Sequence, residues 1–159
     1  MGKAMNGIKR VGMLVSALCL ARATFAQGAF QPVVTIDNMV VTSFELDQRK
    51  KMLEVFRTPG DLDKLALDAL IEDRLKNQAM QRAGLRLDDA SLRRAMEDFA
   101  GRANMSLDQF SQVLAQNGVA QETLRDFVRT GVSWRDFIRS RFGNSVTVSD
   151  AEVRAAVAQ

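Results

Sequence analysis

The apolar and polar positions of this chain change period near residue 42. Before it, Val33-Val34-Thr35-Ile36 is a β-rich run, Asp37-Asn38 supplies turn chemistry and Met39-Val40-Val41 follows. That order predicts a short hairpin. A lone hairpin is marginal in water, so it is expected to lie on helices. From residue 42 the period is helical. Thr42-Ser43-Phe44-Glu45 is a capping box and opens a helix to about Phe56, whose middle, Asp47 to Lys51, is highly polar. Thr58-Pro59-Gly60 breaks it. Asp61 starts a longer helix to about Ala83. One stripe on it holds Leu62, Leu65, Ala66, Ala69 and Leu70, and a second holds Leu67, Ile71, Leu75 and Ala79. Two stripes imply contact on two sides and a central position. Gly84 closes this helix.

Asp88 or Asp89 caps the next helix, where Leu92, Ala95, Met96, Phe99, Ala100 and Ala103 repeat at helical spacing. Ser106 with Gln109 forms a second capping box, and the short helix behind it carries Leu107, Phe110, Val113 and Leu114 before Asn117-Gly118. Gln121 to Phe142 is the last long helix. Leu124, Phe127, Val128, Gly131, Trp134, Ile138 and Phe142 fall on one face of it. A glycine there costs about 1 kcal/mol against alanine, so another element is expected to pack closely on Gly131. Gly143-Asn144 ends the helix, Val146-Thr147-Val148 is extended, and Ser149-Asp150-Ala151-Glu152 opens one more helix that the 159-residue sequence barely enters.

Charge and composition alter this picture mainly at the N-terminus. Lys3, Lys9 and Arg10 precede a short apolar run, Val11 to Ala21, and Thr24-Phe25-Ala26 places small residues before Gln27. This is the form of a cleavable secretory leader, with the cut expected between Ala26 and Gln27. The isoelectric point near 9.4 comes from that leader. Without residues 1–26, 18 basic residues face 19 acids, so the basic balance gives no reason to expect nucleic-acid binding. The single cysteine, Cys19, leaves with the leader, and no disulfide or thiol nucleophile is then available.

Little else in the chain points to catalysis. There is no histidine, hence no usual general base and no common metal ligand. No glycine-rich loop follows a strand to hold phosphate. Glu72-Asp73, Asp88-Asp89 and Glu97-Asp98 are sequence neighbours, which point apart on a helix and read as solvated faces or caps rather than carboxylate dyads. No catalytic residue, metal or cofactor is expected. Arg125, Arg129, Arg135, Arg139 and Arg141 read as a solvated face paired with Glu122, Asp126 and Asp136. Met52, Met80, Met96 and Met105 lie near Phe56, Phe99 and Phe110; such a set fills a core or lines an adaptable groove. The candidates for a peptide-binding groove are Phe137, Trp134, Phe142, Phe110, Met105, Met96 and Phe99. Phe137 leads because it lies off the stripe of Leu124, Val128 and Ile138.

The order of these features resembles one family. Residues 33–45 (VVTIDNMVVTSFE) look like the opening hairpin and helix cap of SurA-type periplasmic chaperones. Leu67 to Gly84 (LDALIEDRLKNQAMQRAG), Asn104 to Gly118 (NMSLDQFSQVLAQNG) and Thr147 to Val153 (TVSDAEV) are similar to later stretches of the same family, the second being the most specific. The resemblance implies a mainly α fold: a multi-helix orthogonal domain with a short N-terminal β-hairpin. Residues 27–148 would form it, and residues 149–159 would begin a helix leading to a parvulin region absent from this sequence. The family escorts unfolded outer-membrane β-barrel proteins across the periplasm without ATP. Aromatic-rich unfolded segments and the outer-membrane assembly machinery are the implied partners. The chain itself is expected to be non-enzymatic, and a fragment rather than an isolated domain. The other readings are the non-catalytic portion of a parvulin-type prolyl isomerase, and a structural or adaptor helical domain.

Overall fold

The computed structural model describes residues 28–143 together with Arg154, Ala156 and Val157, which are helical and exposed. The expected leader with its Ala26–Gln27 cut, the extended run at 146–148 and the capping box at 149–152 lie outside the described residues. Within them, strands β1 (Pro32–Ile36) and β2 (Met39–Thr42) form an antiparallel hairpin, followed by helices α1 (Ser43–Val55), α2 (Leu62–Arg82), α3 (Asp89–Gly101), α4 (Leu107–Gln116) and α5 (Gln121–Phe142). The domain is mainly α with an N-terminal hairpin, as the periodicity predicts.

Most of the boundaries follow from local chemistry. Asp37 takes the left-handed conformation, φ 52°, in the two-residue turn that sets Ile36 opposite Met39. The Thr42 hydroxyl accepts from Glu45 N–H at 3.2 Å and the Glu45 carboxylate accepts from Thr42 N–H at 2.9 Å, closing the capping box. Asp61 caps α2, Asp88 caps α3 and Ser106 with Gln109 caps α4. Gly84, at φ +69°, ends α2: its N–H donates to the Gln81 carbonyl and Leu85 N–H to the Met80 carbonyl. Helix α5 differs, because its cap position is Ala120, which has no side chain to accept. Gln48 of α1 holds this turn instead, accepting from Ala120 N–H at 2.6 Å and donating to the Gly118 carbonyl at 3.1 Å.

The core lies between the C-terminal end of α1 and helices α3, α4 and α5. Met52, Leu92, Met96, Phe110, Leu114 and Leu124 are among its buried members. Phe56, Phe99, Phe110 and Phe127 form a ring cluster with centroids 5.7–6.3 Å apart. The hairpin lies on the helices as expected: β2 packs on α1 and α2, Val41 is fully buried, and Arg74 of α2 donates to the Val40 carbonyl.

Three expectations are corrected. Helix α2 does contact β2, α1 and α5, yet its second stripe is only partly covered, and Leu75 is 48% exposed. Nothing packs on Gly131: it is exposed, and a Cβ there would meet no atom within 4 Å. Along α5, by contrast, the apolar stripe carries no expectation of full burial: Leu124 and Val128 are buried, and Ile138 is 38% and Phe142 49% exposed. A helical stripe records which side chains share a face, not whether anything covers it. Finally, Arg139 pairs with Asp136 at 3.7 Å as expected, but Arg125 and Arg129 pair across to Asp89 of α3, at 2.9 and 3.7 Å, rather than with Glu122 or Asp126 of their own helix.

Glu45 ties the cap to the sheet, because Arg74 bonds both its carboxylate and the Val40 carbonyl. Burial pushes the Glu45 carboxyl up, but the Thr42 N–H, the Arg74 guanidinium and the Thr42 hydroxyl outweigh it and hold it below its ordinary value of 4.5. A carboxyl held low in the folded state contributes stability that is present above its unfolded value and lost as pH falls through the folded one. Glu45→Gln is therefore expected to lower the unfolding free energy by about 1 kcal/mol at pH 7. In urea titrations the gap between native chain and variant should close as pH drops below 4.5. A gap independent of pH would show that the charge of Glu45 contributes nothing.

Candidate functional site

The polar middle of α1 turns inward. Glu45, Gln48, Arg49 and Met52 share the helix face that the core meets, and Gln48 and Arg49 are buried. Arg49 donates to the Asp73 carboxylate of α2 at 2.6 Å, and its guanidinium carbon lies 5.2 Å from the centre of the Phe127 ring on α5. One cation thus meets three helices. Asp73 is not part of a solvated face, as its sequence neighbourhood implied: its side chain is 16% exposed. Beside this pair, Asn77 of α2 and Thr130 of α5 exchange hydrogen bonds at 3.2–3.3 Å.

These contacts anchor α5 only as far as Thr130. Beyond it the helix carries Trp134 and Phe137, both half-buried, with rings stacked at 5.2 Å and an interplanar angle of 28°. Lys76 of α2 places its ammonium 5.9 Å from the Trp134 ring centre. Ile138 and Phe142 continue the apolar surface toward the end of the helix. The reason given for Phe137 is corrected in part. It does lie off the buried stripe, but Ile138 is no member of that stripe, and Phe137 rests on Trp134 rather than standing alone.

The seven groove candidates fall in three places. Trp134, Phe137 and Phe142 share the far half of α5. Phe110 and Met96, each 6% exposed, belong to the core, and Phe99 completes the ring cluster beside them. Met105 stands apart over a shallow cavity of about 360 Å³ beside α4, with Gln109 and Val113. A cleft of about 600 Å³ opens between α3, α4 and α5, with Met96, Leu107 and Leu124 inside and Asp89 and Arg125 at its rim. Among the described residues, no three acidic, histidine or cysteine side chains converge to hold a metal ion, and no helix is long and apolar enough to cross a membrane.

The family model for the SurA N-terminal domain matches residues 31–136. The chain belongs to the SurA N-terminal domain family. Similar proteins include the Chaperone SurA of Pseudomonas syringae pv. tomato, 33% identical over 155 residues that span 89% of this chain and 35% of the relative. The Chaperone SurA of Methylococcus capsulatus is 31% identical over 129 residues, 76% of this chain and 28% of the relative. That of Burkholderia orbicola is 29% identical over 157 residues, 92% of this chain and 35% of the relative. The chain spans about a third of the length of the curated relatives it matches. In this SurA N-terminal domain the match ends at residue 136, so it takes in Gly131 and Trp134 but not Phe137 or Phe142.

The polar residues that organise the site escaped sequence reading. Their signal was available: Gln48 and Arg49 sit four and three residues before Met52, on the spacing where a core stripe should run. Removing one member of a buried ion pair leaves the other uncompensated. Asp73→Ala is therefore expected to lower the unfolding free energy by about 3 kcal/mol, whereas the double variant Arg49→Met, Asp73→Leu should return to within about 1 kcal/mol of the native chain. Urea denaturation of the three proteins tests this. A single variant as stable as the native chain would show that the pair does not hold the junction.

Proposed function

We propose that this domain is a periplasmic chaperone module that binds extended, apolar segments of unfolded outer-membrane β-barrel proteins without ATP. The observation that carries the reading is the far half of α5, where Trp134, Phe137, Ile138 and Phe142 present a run of apolar surface that the fold itself leaves partly uncovered. Membership of the SurA N-terminal domain family and the similarity to proteins named Chaperone SurA support it. Binding would come from removing apolar area from water, at roughly 25 cal/mol per Å² before the costs of ordering both partners. Such contacts are weak one by one and tolerant of sequence, which suits a protein that must hold many unfolded chains. The interaction is a binding equilibrium with no chemical step.

Two measurements test this reading. A titration with an aromatic-rich β-barrel peptide, followed by Trp134 fluorescence, is expected to show binding that survives high salt, because apolar burial is not screened. Phe137→Ser should weaken it about tenfold. Unchanged affinity in the variant would remove Phe137 from the site, and binding that vanishes at high salt would move the contact to the arginines of α5. The periplasmic location rests on the leader. Protein recovered from the periplasm of cells expressing the whole sequence should have the mass of a chain beginning at Gln27. A mass that includes Met1 to Ala26 would count against export by cleavage there.

A further inference from the structure

Between α3 and α5 the surface opens into a pocket of about 360 Å³. Its apolar lining is Ala95, Phe99, Phe127, Val128 and Val132, and Gly131 forms part of its wall. Glycine is a poor helix former, and two structural reasons for keeping one are missing here. The backbone of Gly131 is helical rather than left-handed, and no neighbour approaches where a Cβ would stand. What the glycine does is leave the pocket unfilled. Phe99 and Phe127 meet edge to face at 5.7 Å, and both also line this opening. A ring entering it would extend a cluster of four phenylalanines with the spacing that aromatic pairs prefer. The volume lies at the small end of ligand pockets and suits one side chain rather than a whole molecule.

The rim adds a charge preference. Asp73 is engaged by Arg49, and Lys76 by Glu72. Arg102 and Arg135 have no ion-pair partner among the described residues, and Asp98 is the one other acid at the rim. The uncompensated charge around the apolar opening is therefore positive. Trp134 follows Gly131 by three residues and so neighbours the pocket on the same side of α5.

We propose that this pocket receives one aromatic side chain of an extended, unfolded segment, with preference for a ring whose sequence neighbour is Asp or Glu. The inference rests on the binding function proposed above and adds to it a specific receptor and a specific chemistry. Arg102 and Arg135 would face the neighbouring carboxylate while the ring enters between Phe99 and Phe127. The guest's charge contributes a smaller, salt-sensitive part of the affinity, and the ring contributes the salt-insensitive part.

The test uses the chain from Gln27 onward and unfolded peptides containing Phe-Asp, Phe-Asn or Ser-Asp at one central position, with Kd read by calorimetry. For the native chain, Ser-Asp is expected to bind about tenfold more weakly than Phe-Asp, and Phe-Asn about threefold more weakly at low salt. Gly131→Leu fills the pocket and should weaken Phe-Asp about tenfold while raising the thermal midpoint, since leucine is the better helix former. Gly131→Ala should stay within about twofold of native affinity. A photoreactive phenylalanine analogue at the Phe position should cross-link within residues 95–102 or 127–135. That readout holds whether or not a variant folds. Native affinity in Gly131→Leu, or cross-links elsewhere, would overturn the pocket. If Phe137→Ser still loses binding in that case, the broader function stands without it. Equal binding of Phe-Asp and Phe-Asn would overturn the acidic preference, and no binding by the native chain would overturn both proposals.

Discussion

A cation inside a helical domain is stable only if its surroundings replace the water it has lost. Arg49 meets that condition in part by drawing three helices together, its own α1, α2 through Asp73 and α5 through the face of Phe127, while its buried Nε–H has no hydrogen-bond partner among the described residues. Gln48, one residue earlier, accepts from the turn that begins α5 in place of a cap that Ala120 lacks. The position of α5 therefore depends on two adjacent polar side chains of α1 as much as on Leu124 and Val128.

That constraint divides α5 into two halves of different character. Up to Thr130 the helix is buried against α1, α2 and α3, and its arginines reach across to Asp89. Past Thr130 the sequence remains apolar on one side, yet none of the described residues is fully buried and only Val132 still packs against the core. The rings of Trp134 and Phe137 stack on each other, Ile138 and Phe142 face solvent in part, and Gly131 leaves an opening to the aromatic cluster. A helix packed at one end and partly uncovered along an apolar side at the other suits the holding role proposed for this domain. It presents hydrophobic area without the entropic cost of ordering a loop on each encounter.

The elements were legible in the sequence because their signals are local. Thr42 with Glu45, Ser106 with Gln109, and the glycines at 84 and 118 act within four residues of themselves, so helix limits can be read without knowing the fold. What could not be read is what pairs over long separations. Asp73 looks like half of a solvated acidic dipeptide until Arg49, 24 residues away, is placed beside it. Asp89 looks like a second choice of helix cap until Arg125, 36 residues on, reaches it. Gly131 shows the same limit from the other side. Its place on an apolar stripe implied a close neighbour, and the structure shows open space, since a stripe is the same whether it faces a core or a partner yet to arrive.

The central claim is that the fold holds α5 by its first half and leaves apolar surface on its second half for binding. Amide hydrogen exchange, with and without a saturating aromatic-rich unfolded peptide, tests it most directly. The account predicts that protection rises about tenfold across residues 131–142 and in the facing turns of α3, with residues 107–125 unchanged. Protection that instead rises in the cleft between Asp89, Leu107 and Arg125, leaving 131–142 as before, would contradict it.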